Sequence, residues 1–191
     1  LDFKDPLQLL VATILAAQCT DERVNRVTKD LFKKYRAAED FAKADLHALE
    51  EEIRSTGFFH NKAKNILSCC RDIVKKFGGE VPRTLEDLTS LAGVGRKTAN
   101  IILGNAFGIP GVVVDTHIGR VAQRLGLTHQ KDPVKIEFDL MPLVPQERWV
   151  KFSHQMIWHG RRICTAKKPD CLHCPLLPYC DYGAKLRGRA A

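Results

Sequence analysis

Apolar side chains in this chain recur three and four residues apart from Pro6 to Gly160 and almost nowhere two apart, which restricts the fold to packed helices. Asp5 and Pro6 form a cap and first-turn pair ahead of Leu7, Leu10, Val11, Ile14, Leu15 and Gln18, the stripe of one buried amphipathic helix. Further stripes run through Val24, Val27 and Leu31, then Leu46, Leu49 and Ile53, stopping at Gly57. Another carries Ala63, Ile66, Leu67, Cys70, Ile73, Val74 and Phe77 and stops at Gly78 and Gly79. Thr84 caps a short helix with Leu85, Leu88 and Leu91, a longer one starts near Arg96, and the next follows Asp115 with Ile118, Val121, Ala122 and Leu125 before Gly126. Residues 133–143 and 146–160 give two more, the second burying Trp149, Phe152 and Met156. Period-two alternation is confined to residues 112–114, so the expected fold class is all-α.

The cysteines constrain the C-terminal part separately. Seven in a chain with no visible secretory signal argue against a disulfide framework. Cys164, Cys171, Cys174 and Cys180 fall within 17 residues as C-x6-C-x2-C-x5-C. Thiolates this dense repel one another unless a positive centre lies among them, so the segment reads as a metal site. Four thiolates suit a tetrahedral zinc or an iron–sulfur cluster alike. Pro169, Pro175 and Pro178 make the segment a loop wound on its metal rather than a helix with ligands on one face, and losing the metal should unravel it. His173 sits beside Cys174 but is a bystander to a set already complete.

Charge points to the partner. The chain has 30 Lys and Arg against 22 Asp and Glu, and from Leu143 onward nine basic residues face three acidic ones. These are Arg148, Lys151, Arg161, Arg162, Lys167, Lys168, Lys185, Arg187 and Arg189 against Glu147, Asp170 and Asp181. Such a face attracts polyanions, nucleic acid among them, although a solvated basic tail has the same composition. At 45% hydrophobic and 27% charged the chain is globular, and its apolar runs are too short or too broken to span a bilayer. It begins at Leu1 without a signal peptide, so a cytoplasmic, membrane-free location is expected.

The most informative local stretch is Leu91-Ala92-Gly93-Val94-Gly95-Arg96-Lys97-Thr98, between two helices. It is not a nucleotide-binding P-loop, because Arg96 separates Gly95 from Lys97. What remains is a tight hairpin whose glycines allow left-handed angles and close approach, with free N–H groups of the second helix pointing outward. A DNA phosphate fits those donors, and the pattern resembles the helix-hairpin-helix motif that holds a backbone phosphate without reading bases. Gly-rich turns between helices also occur with no ligand. Lys97 falls in the first turn of the second helix, where the helix N-terminus, Arg96 and partial burial would all disfavour its charge and leave a nucleophilic amine. Its plainer role is a phosphate contact. Asp115 closes the run Val112-Val113-Val114 at a helix start, an N-cap by default and a candidate acid beside Lys97.

Together, Ala16-Ala17-Gln18-Cys19-Thr20-Asp21, the hairpin through Asn100, Val114-Asp115-Thr116-His117 and the four-cysteine spacing resemble the endonuclease III family of bifunctional DNA glycosylases over nearly the whole chain. The resemblance implies two all-α lobes, residues 1–110 with the hairpin and 111–191 with the cluster, and a DNA-filled cleft between them. It implies a 4Fe-4S cluster on Cys164, Cys171, Cys174 and Cys180, and a monomer acting on duplex DNA with damaged bases or abasic sites. Lys97 matches the Schiff-base lysine and Asp115 the catalytic aspartate. Gly93, Val94, Gly95 and Arg96 match the phosphate-binding hairpin, and Gln18 matches the residue filling the gap left by a flipped nucleotide, with a satisfied core amide as its alternative. Lys167 and Lys168 sit where the family presents basic residues to DNA. The loop 58–62 lies where it inserts a second wedge. Members usually carry a further helix before the segment that Leu1 starts. An adenine glycosylase shares the hairpin and cluster but needs a carboxylate in the first helix, and none falls between Pro6 and Thr20. A non-catalytic iron–sulfur DNA-binding module is the other alternative.

Overall fold

The structure, a computed structural model, describes residues 1–187; Arg189 and the side chains of Lys185 and Arg187, counted above in the basic tail, lie outside the described residues. The chain divides into two compact units, Leu1–Ile109 and Pro110–Ala191. Among the described residues there is no strand. Val112, Val113 and Val114 lie outside any regular element and are all buried, so the one alternating stretch has no side chain facing solvent.

The first unit holds α1 (Pro6–Leu15), α2 (Asp21–Lys34), α3 (Ala38–Ala42), α4 (Leu46–Ile53), α5 (Phe59–Phe77), α6 (Leu85–Thr89) and α7 (Arg96–Ala106). Asp5 caps α1 by accepting from the Gln8 N–H at 2.8 Å, and Pro6 follows it as expected. Six residues of α1, from Leu9 to Leu15, are buried, so this helix is enclosed almost all round and acts as the unit's axis. It packs against α2, α5 and α7, while α5 also packs on α3 and α4. The stripe ends earlier than its spacing suggests: α1 stops at Leu15, and Gln18 is exposed on the following turn with φ +56°. Gln18 is therefore no core amide.

Two further differences concern elements without a legible period. The five-residue α3 is anchored by Phe41, fully buried and stacked on Tyr35 with ring centroids 4.8 Å apart. Asp40 secures its start by accepting from the N–H groups of Arg36 and Ala37, which hold its carboxyl below the usual range. Residues 59–62, expected in a loop, form the first turn of α5, leaving Phe58 alone outside at φ +50°.

The second unit holds α8 (Thr116–Leu125), α9 (Pro133–Leu140), α10 (Trp149–Arg162) and α11 (Asp181–Arg187). Its core gathers Val112, Val114, Ile118, Val121, Ala122, Ile136, Leu140 and Met156. Trp149 and Phe152 border it half-buried, and the Trp149 indole donates to the Val144 carbonyl at 2.8 Å. The α8–α10 crossing is close because Gly160 lacks a side chain: a Cβ there would stand 3.0 Å from His117 Cβ and 3.2 Å from Val121 Cγ2.

Candidate functional site

The hairpin between α6 and α7 is clamped from inside and bare outside. Leu88, Leu91 and Val94 are buried, and the Val94 N–H donates to the Leu91 carbonyl at 3.1 Å. Val94, expected among the DNA contacts, thus turns its side chain into the core and uses its N–H within the turn. Gly93 takes φ +77°, and a Cβ there would stand 3.0 Å from Asn65 Cβ on α5. Gly95 is the N-cap of α7 in extended conformation, with no side-chain cap and open space where a Cβ would project. The first N–H groups of α7 therefore have no capping side chain, beside a backbone that a ligand can approach closely. Arg96 and Lys97 occupy the first two helical positions. Lys97 is exposed, so the partial burial expected to favour its neutral amine is absent.

Two other turns of the same unit present side chains to solvent. Gln18 and Phe58 are the non-glycine residues with positive φ among the described residues, and Phe58 is 64% exposed. Phe59 instead packs half-buried against the core. Behind both turns lies Lys62 on α5, only 4% exposed, whose ammonium donates to the carbonyls of Leu15 and Thr56 at 2.8 Å each. Burial lowers its proton affinity. Nothing in the local pattern marks this lysine as buried.

In the second unit Asp115 caps α8, its Oδ1 accepting from the Ile118 N–H at 2.8 Å, while Oδ2 has no partner among the described residues. One turn on, Arg120 donates to the carbonyls of Gly160 and Cys164 at 2.8 and 3.0 Å. Arg124 braces the cysteine loop more directly. Its guanidinium donates to the carbonyls of Thr165 and Ala166 at 2.8 and 2.9 Å and to Cys164 Sγ at 3.2 Å, and it lies over the Tyr182 ring. Neither arginine carried a signal in the sequence, because its partners lie about forty residues away.

Cys164, Cys171, Cys174 and Cys180 all line one small cavity, partly open to solvent, with Val121, Leu125, Ile163 and Leu177 among its apolar walls. Burial first, and then the other three thiols, push the Cys171 thiol up. Held as four thiolates, these side chains would need a compensating cation among them. Among the described residues no three His, Cys, Asp or Glu side chains converge tightly enough to hold a single metal ion. His159 comes within 3.8 Å of Cys174 Sγ, and burial lowers its proton affinity. His173 is exposed and pairs with Asp170 at 2.9 Å. Lys167 and Lys168 are exposed on the braced loop, where the Thr165 hydroxyl donates to the Lys168 carbonyl at 2.7 Å. No described helix is long and apolar enough to cross a membrane.

The model of the family described as HhH-GPD superfamily base excision DNA repair protein matches residues 11–146, which include the hairpin and Asp115 and end before the cysteine loop. An endonuclease III from Synechocystis is 58% identical, covering 94% of this chain and 83% of that protein. The enzyme of the same name from Bacillus subtilis is 48% identical over 95% of this chain and 83% of its own length. Among solved structures, a trapped endonuclease III–DNA covalent intermediate superposes with a TM-score of 0.91 at 46% identity, covering 98% of this chain and 88% of that one. With the helical fold, the glycine hairpin and all three comparisons in agreement, the chain belongs to the endonuclease III family of the HhH-GPD base excision DNA repair superfamily.

Proposed function

We propose that this chain is a base-excision-repair DNA glycosylase with abasic-site lyase activity, removing oxidised pyrimidines from duplex DNA through a covalent imine on Lys97. The observation that carries the reading is the exposed amine of Lys97 on the first turn of α7, directly behind a hairpin whose outward N–H groups lack a capping side chain. A phosphate bound at Gly93, Gly95 and Arg96 would fix the DNA strand while the damaged nucleotide leaves the stack. The amine then attacks C1′ as the base departs and loses a proton, the C1′–O4′ bond opens with a proton taken up by O4′ to give the imine, and loss of a C2′ proton expels the 3′-phosphate, breaking the strand 3′ to the sugar. The related enzyme trapped covalently on DNA supports this course. Asp115, with one oxygen left over from the α8 cap, is the carboxylate assigned to stabilise the cationic sugar and move protons. Gln18 and Phe58, exposed on their turns, are assigned to the gap left by the flipped nucleotide.

The donor set fits a cluster. Cys164, Cys171, Cys174 and Cys180 line one cavity, and four thiols are the donor set that would hold a 4Fe-4S group there. When bound, such a group supplies positive charge and crosslinks the loop. Arg124 and the loop backbone then present Lys167 and Lys168 to phosphates. The chain works as a monomer at the chromosome.

The deciding experiment is borohydride trapping on a duplex with one oxidised pyrimidine, comparing the chain with Lys97→Gln. A covalent adduct in the first and none in the second is the expected result. Base release without an adduct would make the enzyme monofunctional, and DNA binding without release would leave only a binding module.

A further inference from the structure

Lys62 breaks two local rules at once. It is a cation in the first turn of a helix, at the positive end of the macrodipole, and it is almost entirely out of water. Such a violation persists only where the surroundings compensate it, and here the compensation is specific. Leu15 is the last residue of α1, and Thr56 is the last residue of the short 3-10 turn Arg54–Thr56. Both carbonyls sit at helical C-termini, where the chain itself leaves acceptors without an intrahelical donor and the dipole is negative. One ammonium satisfies both at 2.8 Å.

What lies beyond those carbonyls gives the arrangement its meaning. Three residues past Leu15 is Gln18 at φ +56°, and two past Thr56 is Phe58 at φ +50°. A left-handed backbone is strained for a residue with a side chain, and such outliers collect at sites where the surrounding structure holds them. Both side chains are exposed, so neither conformation is held by burial of its own side chain. The roots of the two turns, far apart in sequence, share one buried donor group.

We infer that Lys62 is a positioning residue for DNA interrogation: its ammonium ties together the roots of the turns that carry Gln18 and Phe58, so that the two side chains enter a damaged duplex as one preorganised pair. The inference rests on the gap-filling assignment made above. Lys62 itself touches no DNA; it fixes where two other side chains stand, and a displacement of a fraction of an ångström at their roots is magnified at their tips.

The test uses a duplex with a stable abasic analogue opposite 2-aminopurine, whose fluorescence rises when its stacking is disrupted. The full chain is compared with Lys62→Met, Lys62→Gln, the pair Gln18→Ala/Phe58→Ala, and that pair combined with Lys62→Met. Helicity and thermal unfolding are recorded for each. Lys62→Met should lose most of the fluorescence rise, and its preference for the abasic over the intact duplex should fall on the order of tenfold while affinity for intact duplex is unchanged. Lys62→Gln, which keeps two N–H donors, should recover part of both. In the Gln18→Ala/Phe58→Ala background, Lys62→Met should add nothing further.

The outcomes separate the possible failures. If Gln18→Ala/Phe58→Ala keeps the full signal, the gap-filling assignment is wrong and this inference falls with it. If that pair loses the signal while a folded Lys62→Met keeps it, the assignment stands and the positioning role is overturned. An undiminished Lys62→Met effect in the double-alanine background would equally overturn it, because the lysine would then act through overall stability. Should Lys62→Met not fold, Lys62→Gln decides by the same readouts; if neither folds, Lys62 is a core residue only and the inference is refuted.

Discussion

The two glycines of the hairpin have different physical jobs, and alanine at each position tells them apart. At Gly93 the backbone is left-handed, φ +77°, which costs a residue with a side chain about 1–2 kcal/mol. The new methyl would also stand 3.0 Å from Asn65 Cβ, an atom fixed to the α5 backbone that cannot rotate aside, so helix and hairpin must separate slightly. Gly93→Ala should therefore destabilise the fold by about 2 kcal/mol, or roughly 4–8 °C in Tm for a chain of this size. At Gly95 the backbone is extended, φ −87° and ψ 171°, and the methyl meets nothing within 4 Å. Alanine there gains about 0.4–1 kcal/mol by restricting the unfolded chain. It loses a similar amount, about 0.5–1 kcal/mol, as the poorer N-cap, so Gly95→Ala should unfold like the parent. Its methyl nevertheless occupies the space through which a phosphate would reach the α7 N–H groups. Losing one hydrogen bond to a charged group is worth about 1.5–3 kcal/mol, so DNA affinity should drop about tenfold to a hundredfold. Urea unfolding followed by circular dichroism, beside fluorescence-anisotropy titration with duplex at fixed salt, measures both quantities. A Gly93→Ala chain as stable as the parent would refute the strain argument. A Gly95→Ala chain that binds DNA undiminished would refute phosphate capture at this hairpin.

Two further predictions concern the cysteine loop and acid stability. The chain purified without oxygen should contain iron and acid-labile sulfide in equal amounts, and Cys174→Ser should lose both while the loop 164–180 becomes open to proteolysis; zinc without sulfide would refute the cluster assignment. Glu50, 6% exposed, pairs with His60 at 3.0 Å and His47 at 3.5 Å, and these contacts, His60 first, hold its carboxyl below the usual range. A depressed carboxyl contributes stability above its unfolded pKa of about 4.3 and loses it as pH falls through the folded value, so wild type should lose more stability than Glu50→Gln between about pH 4.5 and pH 3. Parallel acid limbs for the two proteins would show that the pairing contributes nothing.

What the sequence makes legible here is what neighbours in the chain decide. The caps at Asp5, Thr84 and Asp115 are local events, an oxygen meeting an N–H three residues on, and each stands where the pattern puts it. The glycine stops at Gly57, Gly78 and Gly126 are equally local, because each needs only a left-handed backbone. The hairpin motif is legible for the same reason, yet its inner and outer faces are not: that Val94 is core and Gly95 open follows from α5 and α6 packing behind them. Gln18 is the most instructive case. Its spacing from Ile14 and Leu15 continues the helical period, and nothing nearby forbids one more turn. The helix ends at Leu15, and the carbonyl there is taken by an amine 47 residues downstream. That amine belongs to Lys62, which reads in its own segment as an ordinary surface lysine, when it is the buried centre from which two exposed turns are held. The cost of burying a charge is met only by acceptors brought in from other helices, so the residue that couples the two turns is the one whose own segment of sequence says least about it.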